Sequence, residues 1–390
     1  ARLPAAAGNE TAERKTRTMH RRILALTLAV CLLLPGCAAL LDRPYAVVQR
    51  HEEHPVIGED PSTLRAENYS ELVSAVLYLV SQCMEEGRIQ LVNYEGDVES
   101  DLTAACLEVA KDDPLGAYAV DFIKSSYTRI VSTYEAAISI SYRRAPEQIR
   151  ALVNVTGATA IRREMGDALR SFLPELALRV GYFTGDEASI AQLVQQAYYD
   201  TPEAAFGMPE FTVSLYPDQG SQRVVEIVLT YPQDPETLRR KSAELLAVAE
   251  DAVLPLSGQQ FSQRRQAEAL MSLLPELLHR NDAPGEDGSP RNTAWDALIG
   301  EGANSEGLAL AFLLLCAQLD LECSVTQGTL DETPHAWNTL ILSGETVQVD
   351  LTGADPDRLW TEEELAALGY RWSGMPEISD LEQAGDQPAE

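Results

Sequence analysis

Residues 303–316 read ANSEGLALAFLLLC. Apolar side chains on every side from Leu308 to Leu319 mark a helix buried all round rather than one lying on a surface. At its mouth stand Asn304, Ser305, Glu306 and Gly307. A serine just before such a run is a favoured N-cap, whose hydroxyl can accept from the amide of Gly307 or Leu308. The same place, where backbone amides and the helix dipole favour negative charge, is also where a nucleophile is activated. Which of the two Ser305 is depends on what the following residues bring to it.

After the helix come a strand around 322–327, then HAWNTLIL (335–342), a turn at Ser343-Gly344, and TVQVDLTG (346–353). The last two read as arms of one hairpin. Pairing about the turn sets His335 and Asp350 within a few residues of directly opposite, so that a bulge or small register change would bring them into contact. A histidine beside an aspartate, facing the N-terminus of a buried helix, is the arrangement of a nucleophile, a base and its orienting group.

The segments EGANSEGLALAFLLLCAQLDLEC, HAWN, VDLTGAD and LWTEEELAALGYRW, in this order over residues 290–375, resemble the core of the bacterial transglutaminase-like superfamily, a papain-related fold of cysteine hydrolases and acyltransferases. The resemblance implies a helix packed on an antiparallel sheet. It places a triad at Ser305, His335 and Asp350, with Trp337, Asn338 and Glu306 as neighbouring binding residues. The family's helix begins Cys-Glu-Gly; here Ser305 stands where that cysteine would be. Cys316 lies eleven residues further on, about 16 Å along the helix axis, and Cys323 beyond its end, so neither thiol substitutes.

The exchange matters chemically. A thiol near pKa 8.5 is readily ionised by a neighbouring imidazole and a helix dipole, whereas an alcohol must lose its proton during attack. The expectation is therefore a vestigial site that binds or scaffolds. The alternative is a Ser-His-Asp enzyme of the peptidase or transglutaminase type.

Upstream, residues 66–151 and 152–255 read as two related units. The stretch 89–118 aligns without a gap to 177–206 at an offset of 88, matching Tyr94 with Tyr182, Asp112 with Asp200 and Pro114 with Pro202. Tyr142 and Pro146-Glu147 recur as Tyr231 and Pro235-Glu236. Such register argues for a tandem duplication. Each unit shows helix (70–86; 157–173), strand (88–94; 176–183), helix (97–110; 185–199) and two further strands (127–133 and 136–143; 210–216 and 223–231). The fold class expected is α+β, a duplicated α/β module followed by the papain-like core. A connecting helix and a Gly-, Pro- and Asp-rich loop fill 256–289, and residues 376–390 read as an acidic disordered tail.

At the N-terminus, Met19-His20-Arg21-Arg22 precedes the apolar run Ile23–Leu34 and then Leu34-Pro35-Gly36-Cys37. A basic start, a 12-residue apolar run too short to span a bilayer, and Gly-Cys read as a lipoprotein signal peptide over 19–36, with Cys37 as the lipidated residue. Residues 1–18 then have no structural role and 37–65 form a tether. His51 and His54 lie in that tether beside glutamates only and read as solvated, not as a metal site.

This places the chain outside the cytoplasm, attached to the membrane by lipid, with a protein or a peptidoglycan-linked peptide as the expected ligand. There Cys83, Cys106, Cys316 and Cys323 could form two disulfides, in a pairing that spacing does not choose. With 60 acidic against 30 basic side chains, a formal charge of −30, polyanions are repelled and nucleic acid is not an expected partner. No cofactor or metal is implied, since Gly-rich phosphate loops and CxxC pairs are lacking.

Overall fold

The computed structural model describes residues 56–57, 63–353 and 355–372, so the signal segment, Cys37 and the tail 376–390 lie outside the described residues. The chain is a mixed helix-and-strand protein, with three sheets among the described residues. Among the described residues no helix is long and apolar enough to cross a membrane.

The first unit contains β1 (Val56–Ile57), β2 (Leu64–Ala66), α1 (Tyr69–Ser81), β3 (Glu86–Leu91), α2 (Val98–Lys111), α3 (Pro114–Ala119), β4 (Val120–Ile130), β5 (Thr133–Tyr142) and α4 (Pro146–Arg150). The second contains β6 (Val153–Val155), α5 (Ala158–Ser171), β7 (Glu175–Val180), α6 (Glu187–Tyr199), β8 (Glu210–Tyr216), β9 (Arg223–Thr230) and α7 (Pro235–Val253). Sheet orders run β1-β2-β3-β5-β4 and β6-β7-β9-β8.

Leu64 faces Ile89 in one parallel pair as Val153 faces Leu178 in the other. The same local devices recur. Asp97 and Asp186 cap their helices, accepting from the amides of Ser100 and Ser189. Cys83 (φ 54°) and Phe172 (φ 50°) turn the chain out of the preceding helix, and the Tyr142 and Tyr231 hydroxyls donate to the carbonyls of Met84 and Leu173.

These equivalences correct the expected offset. Strands and helix caps correspond at 89 residues, not 88; the spacing falls to 88 from Asp112 and Asp200 through Pro114 and Pro202, because α2 has 14 residues and α6 has 13, and is 89 again at Tyr142 and Tyr231. The strands expected at 127–133 and 136–143 also move: their turn falls at Val131-Ser132, and β4 begins at Val120. No Gly, Asn or Asp marks that turn, so its chemistry was not readable.

The two sheets differ in what covers their outer faces. Arg88 and Glu135 form a solvated ion pair on the first, where the corresponding Ala177 and Val224 of the second are buried against the first unit's core. At that junction the Arg144 guanidinium stacks on Tyr118 and Tyr216 and donates to Glu226 at 2.6 Å. The Tyr216 hydroxyl donates to the same carboxylate at 3.1 Å.

Downstream follow α8 (Gln263–Leu277), α9 (Ala294–Leu298), α10 (Ser305–Ala317), β10 (Glu322–Leu330), β11 (Thr333–Leu342), β12 (Glu345–Val349), α11 (Glu362–Ala367) and β13 (Tyr370–Arg371). The sheet order is β12-β11-β10-β13. The expected boundary near 256–289 does not interrupt the core. Leu178 and Ile227 of the second unit, Leu245 of α7, Leu270 of α8, and Leu310, Phe312 and Val349 of the C-terminal body share one continuous apolar cluster. Ten consecutive residues of α10, Gly307–Cys316, are buried, as a helix apolar on all sides requires.

The buried pair at the unit junction yields a specific expectation. Arg144→Met should lower unfolding free energy by about 3–5 kcal/mol by leaving the Glu226 carboxylate, 5% exposed, without its cation. Replacing both, Arg144→Met with Glu226→Leu, should recover most of that loss, since an apolar pair has no charge to desolvate. Urea unfolding of the two variants beside the parent chain reads both values.

Candidate functional site

Helix α10 is aimed by its first turn. Asn304 is the N-cap, with its side-chain oxygen accepting from the Gly307 amide at 3.1 Å, so Ser305 is the first helical residue and not the cap. Asn304 does the capping that was one of the two readings for the serine. Gly307 is needed because a Cβ there would lie 2.7 Å from the Ala303 Cβ and 2.8 Å from the Thr293 carbonyl oxygen. The helix start therefore packs directly on the first turn of α9, whose Thr293 cap is closed by Asp296. Freed from capping, the Ser305 hydroxyl accepts from the backbone N–H of Ala336 at 3.3 Å, on the strand that carries His335.

His335 and Asp350 meet without the bulge that the hairpin seemed to need. The β11–β12 register runs unbroken to Asn338 opposite Val349. Continued one step, it puts Asp350 across from Trp337, on the face that His335 shares two residues away. The diagonal contact brings His335 Nε2 to Asp350 Oδ2 at 2.7 Å.

Asp350 is 2% exposed and is satisfied on both oxygens. Oδ1 accepts from the Thr352 amide and hydroxyl, each at 2.8 Å. Oδ2 accepts from His335 and from the Tyr370 hydroxyl. Burial pushes this carboxyl up, but the bonds from His335 and Tyr370 outweigh it and hold Asp350 below its ordinary value. Burial, then Asp350, push the Tyr370 phenol well above its ordinary value, so it stays a donor. An ionised Asp350 can only accept, which fixes the proton on His335 Nε2 and leaves Nδ1 as the ring's acceptor. Among the hydrogen bonds of the described residues, none joins Ser305 to His335, and Nδ1 has no partner.

Beneath the imidazole, Trp337 stacks with its ring centroid 6.3 Å from that of His335, and its indole N–H donates to Gln348 at 3.0 Å. Trp337 is 1% exposed and Asn338 is 0% exposed. Neither reaches the cleft, which corrects their expected place as binding residues. Asn338 instead donates to the Ala309 carbonyl at 2.9 Å, tying α10 to the sheet from inside.

An open cleft of about 320 Å³ lies over this arrangement, lined by Asn304, Ser305, Glu306, Gln327, Gly328, Pro334, His335 and Ala336. Glu306 does reach it, and one oxygen of its carboxylate is held from outside the C-terminal body. Tyr199, on α6 of the second unit, donates to Oε1 at 2.7 Å, and Asn292 donates to Oε2 at 3.1 Å. The Tyr199 oxygen also accepts from the Gln327 side chain across the cleft wall. Burial, then Glu306, raise the Tyr199 phenol far above its ordinary value and keep it protonated. Gly328 is fixed by close approach, since a Cβ there would lie 2.2 Å from the Arg371 carbonyl oxygen.

The structure thus brings Ser305, Glu306 and His335 to one cleft, puts Asp350 behind His335, and encloses Trp337 and Asn338. Tyr370, Thr352, Tyr199 and Gln327 were not singled out from sequence. Tyr370 lies in the quoted LGYRW stretch and Thr352 two residues past Asp350, so both carried a local signal; Tyr199, more than 100 residues upstream of Glu306, carried none. All four described cysteines are free thiols rather than two disulfides, with Cys316 and Cys323 in side-chain contact. Among the described residues no group of three His, Cys, Asp or Glu side chains is placed to hold a metal ion.

No protein-family model matches the chain, and no curated protein matches it. One solved structure, described as "Crystal structure of a TGase", is similar at a TM-score of 0.22 and 13% identity, over 46% of this chain and 51% of that one. The matched region spans about half of that protein's length.

Because Asp350 is depressed by its partners, its contribution to stability is present above the ordinary aspartate pKa of about 3.9 and is lost as pH falls through the lower folded value. Tyr370→Phe removes one donor and shifts Asp350 upward. The variant should be about 1.5–3 kcal/mol less stable than the parent at pH 7, with the gap closing as pH falls below 4 and the carboxyl protonates in both. Paired denaturant titrations at the two ends of that range measure it.

Proposed function

We propose that residues 290–375 form a transglutaminase-like domain with serine at the nucleophile position, and that its cleft binds an amide- or acyl-bearing ligand without turning it over. In this reading the ligand is a protein segment or a peptidoglycan-linked peptide. The chain is held outside the cytoplasm by lipid on Cys37. The two N-terminal units are copies of one module that present the domain, a reading supported by their common strand order and helix caps.

One observation carries the binding reading. The Ser305 hydroxyl accepts from the Ala336 amide, and among the described residues no hydrogen bond joins it to the Nδ1 of His335, the nitrogen that would have to take its proton. Serine chemistry depends on the base removing the proton as attack proceeds, so this pairing is the step that must exist for turnover. Meanwhile the cleft offers hydrogen-bonding groups of both kinds: the Asn304 and Gln327 amides, the Glu306 carboxylate and the free nitrogen of His335. These suit the N–H and C=O groups of a peptide.

A second reading, acyl transfer or amide hydrolysis, draws on the His335–Asp350 pair. Its aspartate is buried, and the pair is directly bonded and oriented with Nδ1 left as the acceptor. There Ser305 would attack the acyl carbon, His335 Nδ1 would take its proton and return it to the leaving amine, and Asp350 would hold the imidazole and stabilise its charged form.

Labelling with a fluorophosphonate separates the two. The binding reading expects no adduct on Ser305, in the parent chain or in His335→Ala, by intact mass. An adduct on Ser305 that disappears in His335→Ala establishes the enzyme reading in its place.

A further inference from the structure

The two hairpins that close the two sheets differ in a way the fold does not require. In the second unit β8 and β9 are joined by Pro217-Asp218-Gln219-Gly220-Ser221-Gln222, a polar turn with glycine at φ 101°. In the first unit the strands run longer, 11 and 10 residues against 7 and 8, and end on Ile130-Val131-Ser132. Val131 is 90% exposed and Ile130 48%. Val131 also takes φ 55°, a left-handed conformation that a β-branched side chain strongly disfavours. An exposed apolar residue held in a disfavoured backbone, where the equivalent turn uses glycine, points to a role for the tip itself.

Its surroundings specify the partner. Behind the tip, Tyr127 and Tyr134 form an edge-to-face pair at 6.0 Å, and the Arg129 guanidinium lies 5.8 Å over the Tyr134 ring. Residues 122–134 contain Lys124 and Arg129 and no acidic side chain, in a chain of net charge −30. Two acidic groups adjoin the free end, Glu135 opposite Thr128 and Glu99 beside Tyr127, and both are engaged. The Tyr127 hydroxyl donates to Glu99 at 3.5 Å, and Glu135 is paired with Arg88.

An apolar tip backed by tyrosines and by a cation at the same level, Arg129 opposite Tyr134, suits the bilayer interface, where aromatic rings and anionic headgroups lie together.

We infer that the free end of the β4–β5 hairpin, residues 127–134, docks on the phospholipid bilayer, with Ile130 and Val131 seated among the headgroups. The inference rests on the lipid-anchor reading for its strength, because two apolar residues bind weakly alone and a tether raises their effective concentration at the surface. The hairpin would then fix the orientation of a body that lipid on Cys37 only confines to the membrane.

The test uses the full chain in its acylated form, the same chain with Cys37→Ser, and vesicles of phosphatidylethanolamine and phosphatidylglycerol. Co-sedimentation reads the anchor, and hydrogen–deuterium exchange of the 127–134 amides reads the hairpin. For the acylated chain, exchange in this segment should slow by about tenfold on vesicles, a difference well within the range of local opening equilibria. Ile130→Ser with Val131→Ser should abolish that slowing while the chain still sediments.

Sedimentation of the acylated chain with unchanged 127–134 exchange overturns the hairpin inference and leaves the anchor standing. If the acylated chain fails to sediment, the anchor reading falls. The Cys37→Ser chain at saturating lipid then decides the hairpin alone: slowed exchange supports it and unchanged exchange overturns it. Slowing that appears without vesicles and vanishes on dilution identifies a second copy as the occupant and also overturns the inference.

Discussion

A carboxylate that is 2% exposed has to be satisfied from every side, and Asp350 organises the C-terminal body around that requirement. Its four bonds come from three places: Thr352 just beyond the strand, His335 on the neighbouring strand, and Tyr370 on the last strand of the sheet. Meeting them turns the chain after β12, brings β13 back beside β10, and fixes the plane and tautomer of the imidazole. Trp337, enclosed under that ring with Leu365 and Tyr370, keeps water from competing for the same bonds. The cleft is then the one side of His335 that this packing leaves open.

The opposite wall depends on α10 in the same way. A helix buried on all sides tolerates little play, and its start is set by the Asn304 cap and the close contact at Gly307. The second unit enters here through Tyr199, which bridges Glu306 and Gln327 from a helix of the upstream module. One core runs through both, so the module is part of the framework that shapes the cleft and not a separate bead on a string.

Much of this was legible in the sequence, and the physical reasons for the rest are specific. The apolar run after Gly307 could only be a buried helix, and the HAWN and VDLTG strands could only bring His335 and Asp350 close together. Asn338 was named through the resemblance, whereas in the fold its amide donates to a core carbonyl. Capping was one of two readings for Ser305, and Asn304, one residue earlier, performs it. The Val131 turn was missed because it lacks the residues that make turns easy, and Tyr199 because no local pattern predicts a partner in another unit. The two upstream units share an element order, and their strands and caps correspond one residue further along than the aligned stretches because α2 and α6 differ in length.

The central claim is that Ser305 occupies a nucleophile's position, at a helix N-terminus within the field of His335, while its own hydroxyl is left unactivated. Ser305→Cys converts that claim into a titration, since thiolate absorbance near 240 nm reports ionisation directly. The account predicts a thiolate forming well below the ordinary cysteine pKa of about 8.5, and a return toward that value in Ser305→Cys with His335→Ala. An ordinary pKa that the histidine substitution does not move would contradict it.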